Sequence, residues 1–270
     1  MSKKRSKNGR VVGFIVIIIA ALFLSSFGGF EFAEKQSNSR AEKIAAASND
    51  AAKDKAKKEA KEAEEKLPPN AKVAYLTFDD GPSANVTPRI LNTLKQNNIK
   101  ATFFILGSMA QQNPGLLKQE KAAGHTIGNH TYSHEYKYLY SSTDNFINDL
   151  KKNETIISSI IGDHDKTLIR FPGGSFKLTS FQRAATAAGY HYIDWNAETG
   201  DAERQHASVD FLLTTLRKEI AGQKKVVILM HDAATKSTTA DALPQVIAIL
   251  KSQGYQFRPI TSDSYNVIKR

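Results

Sequence analysis

Val73-Ala-Tyr-Leu-Thr-Phe-Asp-Asp-Gly-Pro82 is the stretch that decides the fold: six uncharged residues, five of them apolar or aromatic, then two carboxylates, then a turn. A run so apolar, and too short for a helix, reads as a strand buried on both faces, the pattern of parallel sheets. Outward from it, residues 86–97 read as a helix with Pro88 near its start. Residues 101–106 read as a second strand, followed by helical material to residue 123. Further strands are expected at 168–171, 191–195, 225–230 and 256–260, and helices at 143–160, 178–188, 209–220 and 240–253. Gly189 and Gly254 each follow a helix and precede a strand, as C-capping glycines do. Short apolar runs alternating with helices predict parallel βαβ units. The alternation fits a barrel or an open doubly wound sheet, and periodicity does not choose. In either, chemistry belongs at the C-terminal strand ends.

The polar residues agree with that expectation. The first strand ends in Asp79-Asp80-Gly81-Pro82. The strand at 168–171 carries Arg170 and ends in Pro172-Gly173-Gly174, and the strand at 225–230 ends in His231-Asp232. After residues 191–195 comes Asn196-Ala-Glu-Thr-Gly-Asp201. The segment Gly128-Asn-His-Thr-Tyr-Ser-His134 falls between two helices. His130 and His134 are four apart, so on a helical turn they share one face and can reach one ion. Alone, such a pair reads better as two solvated or capping histidines. Asp79 and Asp80 would repel if packed together and both charged, which a cation relieves. Alone, Asp-Asp-Gly-Pro is also good turn chemistry. Two histidines and one carboxylate would leave positions open for water and substrate.

Composition bounds the chain further. It has no cysteine, which excludes disulfides, thiolate metal sites and a cysteine nucleophile. Any transition metal must be held by His, Asp or Glu. The formal charge is +10, but five basic residues crowd the first ten positions. Residues 11–30 then carry no charge at all, the length of a membrane span. Basic residues before it hold that end in the cytoplasm and send the rest outside. The expected organisation is a basic tip and transmembrane anchor over 1–32, an Ala/Lys/Glu-rich spacer over 33–70, and a catalytic domain over 71–270. A cleaved signal peptide is the alternative, which would secrete the domain. Phe27, Phe30 and Phe32 interrupt any small-residue cleavage site and favour the anchor. The spacer lacks apolar heptad positions and reads as a solvated, partly helical stalk. No nucleic-acid role is expected, because positive-inside topology already accounts for the basic cluster.

Thr77-Phe-Asp-Asp-Gly81, His130-Thr-Tyr-Ser-His134, Arg170-Phe-Pro-Gly-Gly174, Trp195-Asn-Ala-Glu-Thr-Gly-Asp201 and Leu229-Met-His-Asp232 occur in this order. Over about residues 73–260 the chain resembles the polysaccharide deacetylases of carbohydrate esterase family four, the NodB-type domain. It is most similar to the membrane-anchored peptidoglycan deacetylases of Gram-positive bacteria. The resemblance implies an α/β fold, a distorted (β/α) barrel of about seven parallel strands. It also implies one divalent metal, usually Zn²⁺, with Co²⁺, Mn²⁺ or Ni²⁺ as alternatives. By position, Asp80, His130 and His134 are implied as metal ligands, Asp79 as general base and His231 as general acid. Arg170 is implied to orient Asp79 and hold its pKa down, and Asp201 to keep His231 protonated. The Gly173 amide would face the oxyanion and Leu229 would line the acetyl pocket.

The implied activity is hydrolysis of N-acetyl groups on peptidoglycan glycan strands, releasing acetate. Deacetylation of chitin oligomers or acetylated xylan, or a non-catalytic wall-binding role, are the alternatives. Two positions depart from the commoner pattern: Ala202 where many members carry Trp, and Gly173 where many carry Tyr. Both remove bulk, which predicts a wider pocket admitting N-acetylmuramic acid as well as N-acetylglucosamine. Tyr132, Tyr136, Tyr138 and Tyr140 are expected to cap a core loop rather than stack on sugars. Trp195, Phe103 and Phe104 are expected in the core. Glu198 is a weak candidate for the site, and His125, His164, His191 and His206 have no assigned partner.

Overall fold

Strand β1 (Lys72–Asp79) runs through the centre of the domain, buried from Val73 to Asp79. It pairs in parallel with β7 (Lys225–His231) along one edge. Its other edge is shared: the last residues meet β2 (Thr102–Ile105) and the first meet β8 (Tyr255–Phe257). Beyond β2 lie β3 (Thr126–Asn129), β4 (Leu168–Ile169) and β5 (His191–Tyr192), and beyond β7 lies β6 (Ala197–Glu198). The order is β5-β4-β3-β2-β1-β7-β6, with β8 beside β1, and every pairing is parallel. The computed structural model describes residues 71–204, 207–261 and 264. The expected anchor, the spacer and His206 lie outside them. Among the described residues no helix is long and apolar enough to cross a membrane.

The sheet has to curl. Seven strands laid flat would span about 29 Å at ~4.8 Å per strand. Yet the two outermost strands, β5 and β6, are consecutive in the chain, joined only by residues 193–196. That link reaches at most about 18 Å. No ladder pairs β5 with β6 among the described residues, so the distorted barrel expected takes the form of a parallel half-barrel bridged by a loop.

Eight helices are described: α1 (Thr87–Gln96), α2 (Gly107–Gln112), α3 (Pro114–Ala122), α4 (Tyr136–Leu139), α5 (Thr143–Ile161), α6 (Thr179–Ala187), α7 (Val209–Glu219) and α8 (Ser237–Ser252). The Ser142 and Ser208 side chains accept from the amides of Asn145 and Phe211, capping α5 and α7. Gly189 and Gly254 have positive φ after α6 and α8, as expected of C-caps. Alternate residues of the strands feed one apolar layer: Ala74, Leu76 and Phe78 of β1 with Val226, Ile228 and Met230 of β7. Each large side chain buried there stabilises by about 1.5–3 kcal/mol. The intervening residues, Thr77 and Asp79 beside Leu229 and His231 in register, occupy the opposite face.

Several expectations about local structure change. The segment before His130, where no strand was expected, forms β3. The expected strand at 191–195 shortens to His191–Tyr192, and the one at 256–260 shifts to Tyr255–Phe257.

Candidate metal and active site

The strand ends bring the singled-out residues to one rim. Asp80 Oδ1 lies 3.5 Å from His130 Nε2 and 3.5 Å from His134 Nε2. One ligand atom from each of the three falls within 4.8 Å of the others. His130 and His134 do not share a helical turn. They flank a loop leaving β3, in which Thr131 and His134 have φ of 73° and 58°, and Asp80 has φ 74°. A β-branched residue with positive φ is strained, and such strain persists only where surroundings over-determine it.

The surroundings here are polar groups on α5 and β3. Asn129 Oδ1 accepts from the Thr131 amide at 2.8 Å. Asp149 Oδ1 accepts from the amides of Tyr132 and Ser133 at 2.5 and 3.1 Å. The Asn153 amide group donates to the carbonyls of Ile105 and Thr131 and to Asn129 Oδ1. Sequence reading missed Asp149 and Asn153. Their signal was present: two polar residues four apart inside the buried stripe of Phe146, Leu150 and Ile157.

The residues fit a divalent cation. Asp80 Oδ1 is buried and has no hydrogen-bond partner. Ligand atoms about 2.1 Å from a tetrahedral zinc stand ~3.4 Å apart, close to the separations here. His130 Nδ1 lies 2.9 Å from the Arg170 carbonyl, which assigns the proton to Nδ1 and leaves the Nε2 lone pair toward Asp80. Burial, set against the Asp80 charge, pushes His130 down to about 3, so its ring is neutral, as a ligand must be.

Asp79 stands beside this triad, with Oδ2 3.8 Å from His130 Nε2. Its Oδ1 accepts from Arg170 Nη1 at 2.9 Å. Arg170 is fully buried. Its guanidinium also donates to Thr77 Oγ1 and to the carbonyls of Ile193 and Asp194, and lies 4.2 Å over the Phe104 ring. It thus ties β1 to the bridge at 193–196. Arg170 hydrogen-bonds Asp79 and pulls its pKa down, but burial outweighs that pull. Burial raises Asp79 by more than Arg170 and His231 lower it, leaving the carboxyl above its ordinary value.

Across the rim, His231 Nδ1 is 2.8 Å from Asp201 Oδ1, and the His231 backbone amide donates to Asp201 Oδ2 at 2.8 Å. Thr239 Oγ1 and Lys236 Nζ donate to the Asp201 side chain and carbonyl. Sequence reading named neither. Burial would lower His231, but the hydrogen bond and charge of Asp201, with Asp79 and Asp80, outweigh it and hold the ring up at about 9. Burial raises Asp201 less than its bonds to His231 and Thr239 lower it.

The remaining expectations divide. Gly173 is exposed with φ 74°, and its amide makes no hydrogen bond among the described residues. Leu229 is buried beside Thr77. The space above Gly173 is not empty, however. A Cβ there would lie 3.0 Å from the ring and hydroxyl of Tyr136, so the pocket is not widened at that point. Ala202 is exposed. Tyr140 caps the core as expected, donating to the Pro172 carbonyl at 2.7 Å. Tyr136 and Tyr138 are half-exposed instead. Trp195 leaves the core for the rim, edge-on to the exposed Phe176. Phe103 stacks on Phe78 in the core. Glu198 lies among the charges of Glu203 and Glu219. Buried His125 accepts from the Ala101 amide, a structural role, and burial pushes it to about 4.

A parallel half-barrel carrying an Asp-His-His triad beside an Arg-held Asp and an Asp-held His defines a class, and the chain belongs to it: the polysaccharide deacetylase family, whose model matches residues 66–193. The chain is 35% identical over 199 residues to a peptidoglycan-N-acetylglucosamine deacetylase of Bacillus cereus, covering 72% of this chain and 71% of that protein. It is 38% identical over 189 residues to the deacetylase PgdA of Listeria monocytogenes, covering 70% of this chain and only 38% of the relative's length. The solved catalytic domain of peptidoglycan N-acetylglucosamine deacetylase from Eubacterium rectale superposes with a TM-score of 0.67 at 32% identity, over 73% of this chain and 92% of that one.

Proposed function

We propose that this protein removes N-acetyl groups from the amino sugars of peptidoglycan by metal-dependent hydrolysis, with N-acetylglucosamine as the favoured sugar. The observation that carries the reading is the buried, unpartnered Asp80 Oδ1 equidistant from two histidine nitrogens, with a carboxyl and a protonated imidazole on either side. The relatives, peptidoglycan N-acetylglucosamine deacetylases, support that substrate class. Tyr136 standing over Gly173 supports N-acetylglucosamine over the bulkier N-acetylmuramic acid.

Asp80, His130 and His134 would hold the metal, Zn²⁺ being the first candidate. When bound, it supplies Lewis-acid polarisation of the acetamide carbonyl and a lowered pKa for the attacking water. The protein's own groups do the rest. Asp79, with Oδ1 committed to Arg170, has Oδ2 left to take the proton of that water. A pKa raised by burial makes it a better base than an ordinary carboxylate. The hydroxide adds to the carbonyl carbon, and the Gly173 N–H donates to the oxygen as charge develops. His231 keeps Nδ1–H on Asp201 and gives its Nε2 proton to the departing nitrogen. The C–N bond breaks, acetate leaves, and the sugar keeps a free amine. Leu229 lines the methyl side of the pocket.

The reading extends to the whole chain: residues 71–270 as the catalytic domain, 11–30 as a membrane anchor and 33–70 as a spacer, with the domain working on the outer face against wall polymer. Its test uses the chain with peptidoglycan and chitin oligomers side by side. Acetate release and a fixed mass loss per sugar from peptidoglycan are expected, abolished by chelator and restored by Zn²⁺. A folded, zinc-loaded protein that releases no acetate would establish the non-catalytic alternative.

A further inference from the structure

The Gly173 amide is one donor at the rim, and the structure supplies a second beside it. Tyr136 opens α4 two residues after His134. Its ring packs edge-on against His134 at 5.3 Å and against Tyr140 at 5.9 Å. Tyr140 in turn is pinned to the Pro172 carbonyl and packs on Phe146. The ring of Tyr136 is therefore held from the core side, while half the residue stays exposed. Packing alone would be served by phenylalanine. The phenol oxygen makes no hydrogen bond among the described residues, so nothing in the fold accounts for it.

Its position does. A Cβ built on Gly173 would lie 3.0 Å from Tyr136 Oη. That Cβ position is about 2.5 Å from the Gly173 nitrogen by standard backbone geometry. The phenol oxygen and the amide nitrogen are thus at most about 5.5 Å apart. Two donors that each reach an acceptor at ~2.9 Å can share one oxygen at that separation. The φ of 74° strains any side chain at Gly173 and the Tyr136 ring crowds one, so the phenol stands where a residue at 173 would extend.

We infer that Tyr136 is a substrate-contacting donor, its hydroxyl bonding the acetamide oxygen together with the Gly173 amide. This rests on the deacetylase reading above. An uncharged donor of this kind acts most where negative charge grows, so it favours the transition state over the bound substrate.

The test is Tyr136→Phe in the full chain, which keeps the ring and its packing and removes one oxygen. Acetate release from peptidoglycan is measured with the Zn²⁺ affinity of each protein determined separately by calorimetric titration. The expected result is a fall of about ten- to a hundredfold in kcat, with KM within about twofold and zinc affinity unchanged. Wild-type kcat in the variant overturns the inference. So does a variant that loses zinc affinity, which would make Tyr136 a support for His134 instead. If the wild-type protein itself releases no acetate while binding zinc, the deacetylase reading fails and takes this inference with it.

Discussion

Asp149→Ala is the sharpest probe of how the site is built, because Asp149 hydrogen-bonds none of the three candidate metal ligands. It is nearly buried, and one of its oxygens accepts from two consecutive amides, Tyr132 and Ser133, inside the His130–His134 loop. Hydrogen bonds to a charged acceptor contribute about 1.5–3 kcal/mol each. Both amides lie partly within reach of water once the carboxylate is gone, so the lower end applies and the loss is about 3 kcal/mol. That leaves a folded domain if its stability lies within the usual 5–15 kcal/mol. The loop also contains two residues at positive φ, which relax when their restraint goes. Metal binding would then have to reorder the loop, and zinc affinity should drop by about ten- to a hundredfold. Asp149→Asn keeps an acceptor oxygen and should lose about 1 kcal/mol or less. Urea unfolding of the metal-free proteins and calorimetric zinc titration measure the two effects. An Asp149→Ala protein within about 0.5 kcal/mol of wild type in both would refute the claim that α5 holds the histidine loop.

Three further outcomes are expected. Asp79→Asn should bind Zn²⁺ with near-wild-type affinity yet release no measurable acetate; turnover above about a tenth of wild type would remove Asp79 as the base. In metal-free protein His231 titrates at about 9 folded against 6.5 for the free side chain. Because the folded value is the higher, its contribution to stability is complete below about pH 6.5 and is lost as pH rises through about 9. Asp201→Asn removes the lift, so chemical unfolding should show the stability gap between wild type and variant narrowing from pH 6 to 10; a constant gap would contradict the assignment. Gly81→Ala would set a Cβ 2.1 Å from the buried Asp232 carboxylate, so soluble folded protein should largely disappear on expression, and wild-type thermal stability would contradict the packing described.

Much of this was legible in the sequence, for reasons that separate cleanly. β1 and β7 lie buried on both faces and spell uninterrupted apolar runs, so their ends, and the polar residues there, could be located. β3 could not: Thr126-Ile-Gly-Asn has one aliphatic residue, and Gly128 is there because the Phe104 ring lies 2.6 Å from where its Cβ would be. β4 and β5 fall inside the strands expected at 168–171 and 191–195, but only two residues of each form ladder, and β6, also two residues, was not located at all. The four-residue spacing of His130 and His134 suited a helical turn, but their convergence comes from a loop bent by Asn129, Asp149 and Asn153, the last two far along the chain. The balance at Asp79 was illegible for another reason. Sequence supplies Arg170 as a partner, but the depth of burial that overrides it exists only in the fold. Gly173 taught the opposite lesson: a missing side chain in one motif was compensated from another segment, by Tyr136.

The central place of β1 bears on how the domain is made. Its first residues need β8 and its last need β2, while β7 covers its whole length, so the earliest strand of the domain is completed by the latest. Contacts of such long sequence separation form late and slowly. Asp79 meets its register partner His231 only after some 150 residues have been threaded between them. A nascent or truncated chain ending before residue 231 therefore carries the triad's residues without the imidazole opposite. Such a fragment is expected to be inert, with an unsatisfied strand edge that invites association with other chains.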